Sequence, residues 1–330
     1  MILGPIKIPM ELIHIVVALV GIILFIIVNA GLVLTYLERK IMGFVQRRPG
    51  PYEVGPQGTL QLIVDGVKLL GKQLHTPANS DKILFWAAPV LAFMPIPLLF
   101  LVIPFSPNLV GWDGSAGIVL LLAFSGLNVL SICFAGWGSG NKWSALGAVR
   151  SVSQAVAYEI PLLLVVLAIV LMSGTLKLTE IAAMQGPWPW QWNWLTQPLG
   201  AFIFMVCMLA ETNRTPFDLP EAESELAAGF HTEYSGLGFG MFFLSEYSNM
   251  MVVSSVFATL FLGGWNGPFL PGILWFVAKV YVMLFIMIWI RWTFPRVRFD
   301  QLLNISWRWL IPLALLNLAY TAFIVNLGKA

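Results

Sequence analysis

Long apolar runs alternate with short polar stretches along most of the 330 residues. Eight such runs occupy about 12–36, 82–104, 116–137, 154–174, 197–212, 237–262, 271–291 and 308–327. Most approach the roughly 20 residues a helix needs to cross a bilayer. Barrel strands would be shorter and would alternate in polarity, so helices are the element this pattern predicts. The expected fold class is an all-α polytopic integral membrane protein: one membrane domain over 1–330 with about eight transmembrane helices, a short amphipathic helix and ordered loops. The cytoplasmic loops are expected at 37–81, 138–153, 213–236 and 292–307. The first run, from Leu12 to Tyr36, is too long for the apolar core of a secretory signal and reads as a retained span.

Composition supports the pattern. The chain is 58% hydrophobic and 10% charged, with a mean hydropathy of +0.84, whereas soluble domains carry about 25% charged residues. Cys133 and Cys207 each lie alone in an apolar run, and of the three histidines only His14 falls in a span. No disulfide framework, iron–sulfur motif, metal site or bis-histidine haem is supported, so no redox centre is expected in this chain. Charge distribution sets the orientation. Fourteen of the 18 Lys and Arg residues flank alternate loops, beginning with Arg39, Lys40, Arg47 and Arg48 and ending with Arg291, Arg296, Arg298 and Arg308. The positive-inside rule then puts those loops in the cytoplasm and both termini on the outer side.

Two segments depart from the spanning pattern. Between Thr59 and Lys72, the residues Gln61, Asp65, Lys68 and Lys72 recur at steps of four, three and four, forming one polar stripe on a helix too short to span. It is either an interfacial amphipathic helix or a helix turning Asp65 and Lys68 toward a polar cavity. Before it, the proline- and glycine-rich run from Gln46 to Pro56 forbids helix and fixes a loop studded with cations. On the other side, the tryptophans from Trp188 to Trp194 read as an interfacial girdle, with ligand stacking as the alternative.

Seven of the 16 acids (Glu211, Asp218, Glu221, Glu223, Glu225, Glu233 and Glu246) fall between positions 211 and 246. Glu159 lies about nine residues beyond Arg150 and is followed closely by Pro161; Glu246 lies about nine residues into its run, or about 13 Å along a helix axis. Lys279 is placed at a comparable depth in the next run. Ionisable groups at such depth are costly and usually functional. Read singly, they are ion pairs between helices, Glu246 with Lys279 for example. Read together, four acids on one leaflet form a proton or charge relay that descends toward Lys279. The loop acids Asp218, Glu221, Glu223 and Glu225 are either a solvated, proline-braced loop or one folded onto a cavity wall.

Several motifs, in order from about residue 30 to 305, carry a resemblance. They are Glu38-Arg-Lys40, Gln46-Arg-Arg-Pro-Gly-Pro51, Asp65-Gly-Val-Lys68, Tyr158-Glu-Ile-Pro161, the run from Glu211 to Leu226, Glu233-Tyr-Ser-Gly236, Glu246-Tyr247 and Trp289 to Gln301. Together they resemble the H subunit of respiratory complex I, the NADH:quinone oxidoreductase. The resemblance implies a non-redox subunit that walls much of the quinone-access chamber and begins the polar axis coupling quinone reduction to proton translocation. It carries Arg39, Gln46, Arg48, Arg214, Asp218, Glu221, Glu223, Glu225, Arg291 and Arg298 over to the chamber, and Glu159, Glu211, Glu233 and Glu246 to the relay, to which the reading of the residues themselves adds Asp65 and Lys279. It also implies quinone as substrate, with iron–sulfur clusters, FMN and NADH in partner subunits, and no catalytic or metal-ligating residue here. The implied partners are the other membrane and hydrophilic subunits, membrane lipids and quinone, with no nucleic acid; the implied location is an energy-transducing membrane, the bacterial inner membrane, with periplasmic termini. One departure is Lys72-Gln73, where many relatives have Lys-Glu; it removes a carboxylate from any relay there, and His75 nearby reads as a surface residue.

Two rivals are weighed against this reading. A membrane-bound hydrogenase or related dehydrogenase would have an equivalent subunit, but the completeness of the acidic-loop motif favours complex I. A stand-alone transporter would commonly show paired, interrupted repeats, and none is evident.

Overall fold

Residues 19–218 and 229–327 are described by the computed structural model. Among them no strand forms, and six helices are long and apolar enough to cross a membrane. The chain is an all-α polytopic membrane protein.

Helix α1 (Leu19–Val45) includes a π-helical stretch, Ile27–Leu34, and runs nine residues past the expected end of the first span. No proline interrupts Thr35–Val45, and the helix stops only where Arg47 takes a φ of 53° and Pro49 follows. Glu38, Arg39 and Lys40, expected in a loop, therefore stand on a helix. The amphipathic piece is α2 (Gln61–Gly71). The second span divides into α3 (Lys82–Phe93) and α4 (Pro95–Val102), broken at Met94 by the prolines that follow it. Helix α5 spans Gly117–Gly138.

Helix α6 runs Lys142–Ser173, so residues 142–153, expected in a loop, are helical. Asn141 caps it by accepting from the Trp143 N–H at 3.0 Å, and Gly174 in the left-handed region closes it. A short α7 (Leu178–Met184) and the apolar but short α8 (Pro198–Glu211) follow. Helix α9 (Gly236–Phe261) packs against α1, α2, α3, α4, α7, α8 and α10 and is buried at most positions. Helices α10 (Gly272–Thr293) and α11 (Phe299–Leu327, with a π-helical stretch at Ile305–Leu310) complete the bundle. Residues 299–307, expected in a loop, belong to α11.

Two intrahelical prolines explain how helices dock around α6 and α9. A helical proline has no N–H, so the carbonyl four residues earlier loses its partner. Pro161 frees the Ala157 carbonyl, which accepts from the Ser306 hydroxyl, while the adjacent Tyr158 hydroxyl donates to Leu302 O at 3.0 Å. Pro89 frees the Phe85 carbonyl, which accepts from the Tyr234 hydroxyl at 2.9 Å. At the break near Met94, Ser245 donates to Ala92 O at 2.8 Å. A buried carbonyl without a partner costs about 1–3 kcal/mol, so each freed group selects a neighbour with a hydroxyl.

Candidate functional site

The buried face of α1 descends in steps of four, Ile26, Ala30, Leu34 and then Glu38. The stripe thus places a carboxylate, only 3% exposed, at the end of an apolar seam. Such a charge is tolerated only when paired. Arg214 Nη1 donates to Glu38 Oε1 at 3.2 Å, and Arg291 Nη1 donates to the same oxygen. The Arg214 guanidinium also lies 4.4 Å from the ring centre of Tyr247, a cation–π contact that partly replaces lost hydration.

The turn carrying Arg214 is held from α6. Gln154 Nε2 lies 2.9 Å from Ala210 O, 3.1 Å from Asn213 Oδ1 and 2.9 Å from Phe217 O. Asn213 takes a φ of 50°, turning the chain sharply after α8. Farther on, Val297 N–H donates to Pro216 O at 3.1 Å and Arg296 pairs with Asp218 at 3.1 Å, binding this turn to the segment between α10 and α11.

Arg214, Arg291, Arg296 and Asp218 line a cavity of about 230 Å³ with Glu246, His231 and the rings of Phe239, Phe242 and Phe243. It therefore has one polar wall of both signs and one aromatic wall. Three residues beyond Glu246 on α9, Asn249 lines a second, mostly apolar cavity of about 60 Å³. Glu159 and Glu211 enter that cavity from α6 and α8. Two carboxylates from different helices thus face one small, mostly apolar space.

The remaining expected residues divide. Arg39 donates to Asp65 at 2.7 Å and Gln61 Nε2 donates to it at 3.0 Å, pinning α2 to α1. Burial alone would raise the Asp65 carboxyl, but the bonds from Arg39 and Gln61 and the charges of Arg39 and Lys68 outweigh it and hold the group below its usual value. Lys68, Ile63, Val67 and Leu70 are exposed, so α2 turns Asp65 to its neighbour and leaves an apolar face outward. Gln46 and Arg48 are exposed and bonded to each other at 2.7 Å. Arg298 is exposed and caps the start of α11, its N–H donating to Gln301. Glu233 accepts from Asn141 Nδ2 at 2.6 Å and lines a separate hollow beside Lys142, apart from Glu246. Glu221, Glu223 and Glu225 lie outside the described residues.

Lys279 does not complete a ladder with the acids. Its ammonium donates to the carbonyls of Leu262, Gly264 and Asn266, just past the end of α9 opposite the Arg214 site. Depth along α10 was a poor guide, because those free carbonyls and the Trp192 ring offer the buried ammonium nearer partners than Glu246. Conversely, His231 and Arg296 line the cavity and Glu38 and Tyr247 hold its arginines from behind, though sequence reasoning placed none of the four among the site residues. For Glu38 the signal was available in the period-four seam ending on it. No group of three or more acids, histidines and cysteines suited to a metal ion occurs among the described residues.

The family described as NADH dehydrogenase matches residues 17–322. The H subunit of NADH-quinone oxidoreductase from Desulfotalea psychrophila is 48% identical over 324 residues, covering 95% of this chain and 97% of the relative. The H subunit from Dehalococcoides mccartyi strain CBDB1 is 48% identical over 311 residues, covering 94% and 87%. The Carboxydothermus hydrogenoformans protein of that name is 45% identical over 311 residues, covering 93% and 87%. With a match of this extent, the chain belongs to the NADH dehydrogenase family, alongside the H subunit of NADH-quinone oxidoreductase.

Proposed function

We propose that the chain is a membrane subunit of a proton-pumping NADH:quinone oxidoreductase, walling the quinone-access chamber and starting the polar axis that couples quinone reduction to proton translocation. The observation that carries this reading is the cavity lined by Arg214, Arg291, Arg296, Asp218, Glu246 and the three phenylalanines. Its aromatic wall suits an apolar ring and tail, and its paired charges suit oxygens that gain charge and protons on reduction. Asn249 then offers the shortest polar link along α9 from Glu246 to the cavity of Glu159 and Glu211. Lys279 and Glu233, each engaged elsewhere, fall outside this route.

In this reading the chain carries no electrons. Iron–sulfur clusters, FMN and the NADH site belong to partner subunits, and the basic face docks against the hydrophilic ones. That face is cytoplasmic and the termini periplasmic in a bacterial inner membrane, a reading the positive-inside distribution supports. The chain's own work is to hold Glu38 between two arginines and pass protons between carboxylates.

The test is Glu246→Gln and Glu159→Ala in the intact complex. NADH oxidation with a hydrophilic artificial acceptor, which reads flavin-dependent electron input, should be unchanged, while quinone reduction and proton pumping fall together. Normal pumping in both variants, with normal assembly, would defeat the relay.

A further inference from the structure

At the end of α9 away from the Arg214 site, the chain builds a small oxygen-lined seat. Gly263 and Gly264 take φ values of 74° and 52°, a left-handed turn that other residues adopt only with strain. The turn brings alternate carbonyls, those of Leu262, Gly264 and Asn266, within 2.5, 2.9 and 2.6 Å of one nitrogen. Trp192 covers the seat, its ring centre 4.0 Å from that nitrogen. The turn has no room for a side chain at Gly263, where a Cβ would lie 2.8 Å from the Trp192 ring. Asn266 is itself fixed, its Nδ2 donating to Ala182 O at 2.6 Å and Gln185 O at 2.5 Å.

Three acceptors match the three N–H donors of a primary ammonium, and an aromatic face adds cation–π attraction. Calcium and other hard cations need six or more oxygens, so this seat is selective for the ammonium class. We infer that it is a built primary-ammonium binding site whose resident ligand is the chain's own Lys279, 5% exposed. The lysine stem acts as a tether that makes occupancy independent of free amine. Cutting the tether leaves a site able to take a free alkylammonium of the same length. The seat stands whether or not the quinone reading holds.

The experiment is thermal denaturation of the purified complex carrying Lys279→Ala, in n-propylammonium, methylammonium or choline chloride at matched ionic strength. Propylammonium replaces the deleted carbons and nitrogen, so it should restore most of the lost Tm; methylammonium should restore less, and choline, which has no N–H, none. Lys279→Met, whose thioether fills the channel, should lose Tm and respond to none of the three. Equal response to all three salts, or no loss of Tm in either variant, overturns the inference. Should Lys279→Ala fail to accumulate, Trp192→Phe decides the matter. It also removes the Trp192 hydrogen bond to Gly186 O, so its loss of Tm should shrink but not vanish in the Lys279→Met background, and a fully additive loss there overturns the site.

Discussion

Glu38→Gln offers the sharpest test of the site because it changes one charge in a largely buried cluster. The carboxylate sits 3.2 Å from Arg214, and the two side chains are 4% and 5% exposed. At that separation two unit charges attract by about 5 kcal/mol if the effective dielectric is about 20. Desolvation of both groups takes back part of this. Removing one partner is worse than never having the pair, since the buried guanidinium loses this countercharge, at a cost of about 3–5 kcal/mol. Glutamine keeps the shape and one acceptor oxygen, so about 3 kcal/mol is the expected loss, near a hundredfold in the equilibrium constant. The assay is Tm and membrane abundance of the complex, with quinone reductase activity measured on what assembles. Arg214→Gln should also destabilise, whereas the double variant should lose less than the sum, with a coupling of about 0.5–3 kcal/mol. Additive losses, or a Glu38→Gln complex as stable and active as the parent, would refute the buried ion pair as the organiser of the cavity.

Three further outcomes follow from the geometry. Asn249→Leu should leave assembly and artificial-acceptor activity intact while slowing quinone-linked proton pumping; unchanged proton-to-electron stoichiometry and rate would remove Asn249 from the route. Ser306→Ala should cost about 1–3 kcal/mol by leaving the Ala157 carbonyl unpartnered, read as a lower Tm, and an unchanged Tm would show that the proline-freed carbonyl finds another donor. Asp65→Asn should cost no more than about 1 kcal/mol, because Arg39 and Asp65 are 37% and 29% exposed. The sign of its pH dependence is fixed: the native carboxyl lies below its usual value, so its stabilisation is complete above the unfolded value of about 4 and is lost as pH falls through the lower native one. Parent and variant should therefore converge in acid, and divergence there would reverse the argument.

The fold was legible where hydrophobic runs were long and uniform. Its helix ends were not, because α1, α6 and α11 continue into residues whose polarity resembles loop but which contain no proline to stop them. The site was half legible. Glu159, Glu211 and Glu246 announced themselves as charges inside apolar runs, and α6, α8 and α9 bring them to two neighbouring cavities. For Glu38 the seam on α1 could have signalled burial but not its partners, which lie 176 and 253 residues away and are brought to it only by packing. Lys279 misled for the opposite reason: axial depth says how far a group lies from the surface and nothing of which way it points.

The enclosure of α9 has a consequence for biogenesis. It is 26 residues long yet is not among the six helices apolar enough to cross by composition, because Ser245, Glu246, Ser248, Asn249, Ser254 and Ser255 interrupt it. A charged residue at a helix centre can cost about 2.5–3.5 kcal/mol during insertion, so the translocon meets this segment as an unfavourable substrate. Its lateral release into lipid is expected to wait for a hairpin with the oilier α10, and for α1 and α3 already in place to pack against it, Ser245 donating to Ala92 O on α3. Synthesis order thus becomes part of the specification: the segment that carries most of the chemistry is the one that cannot be threaded alone.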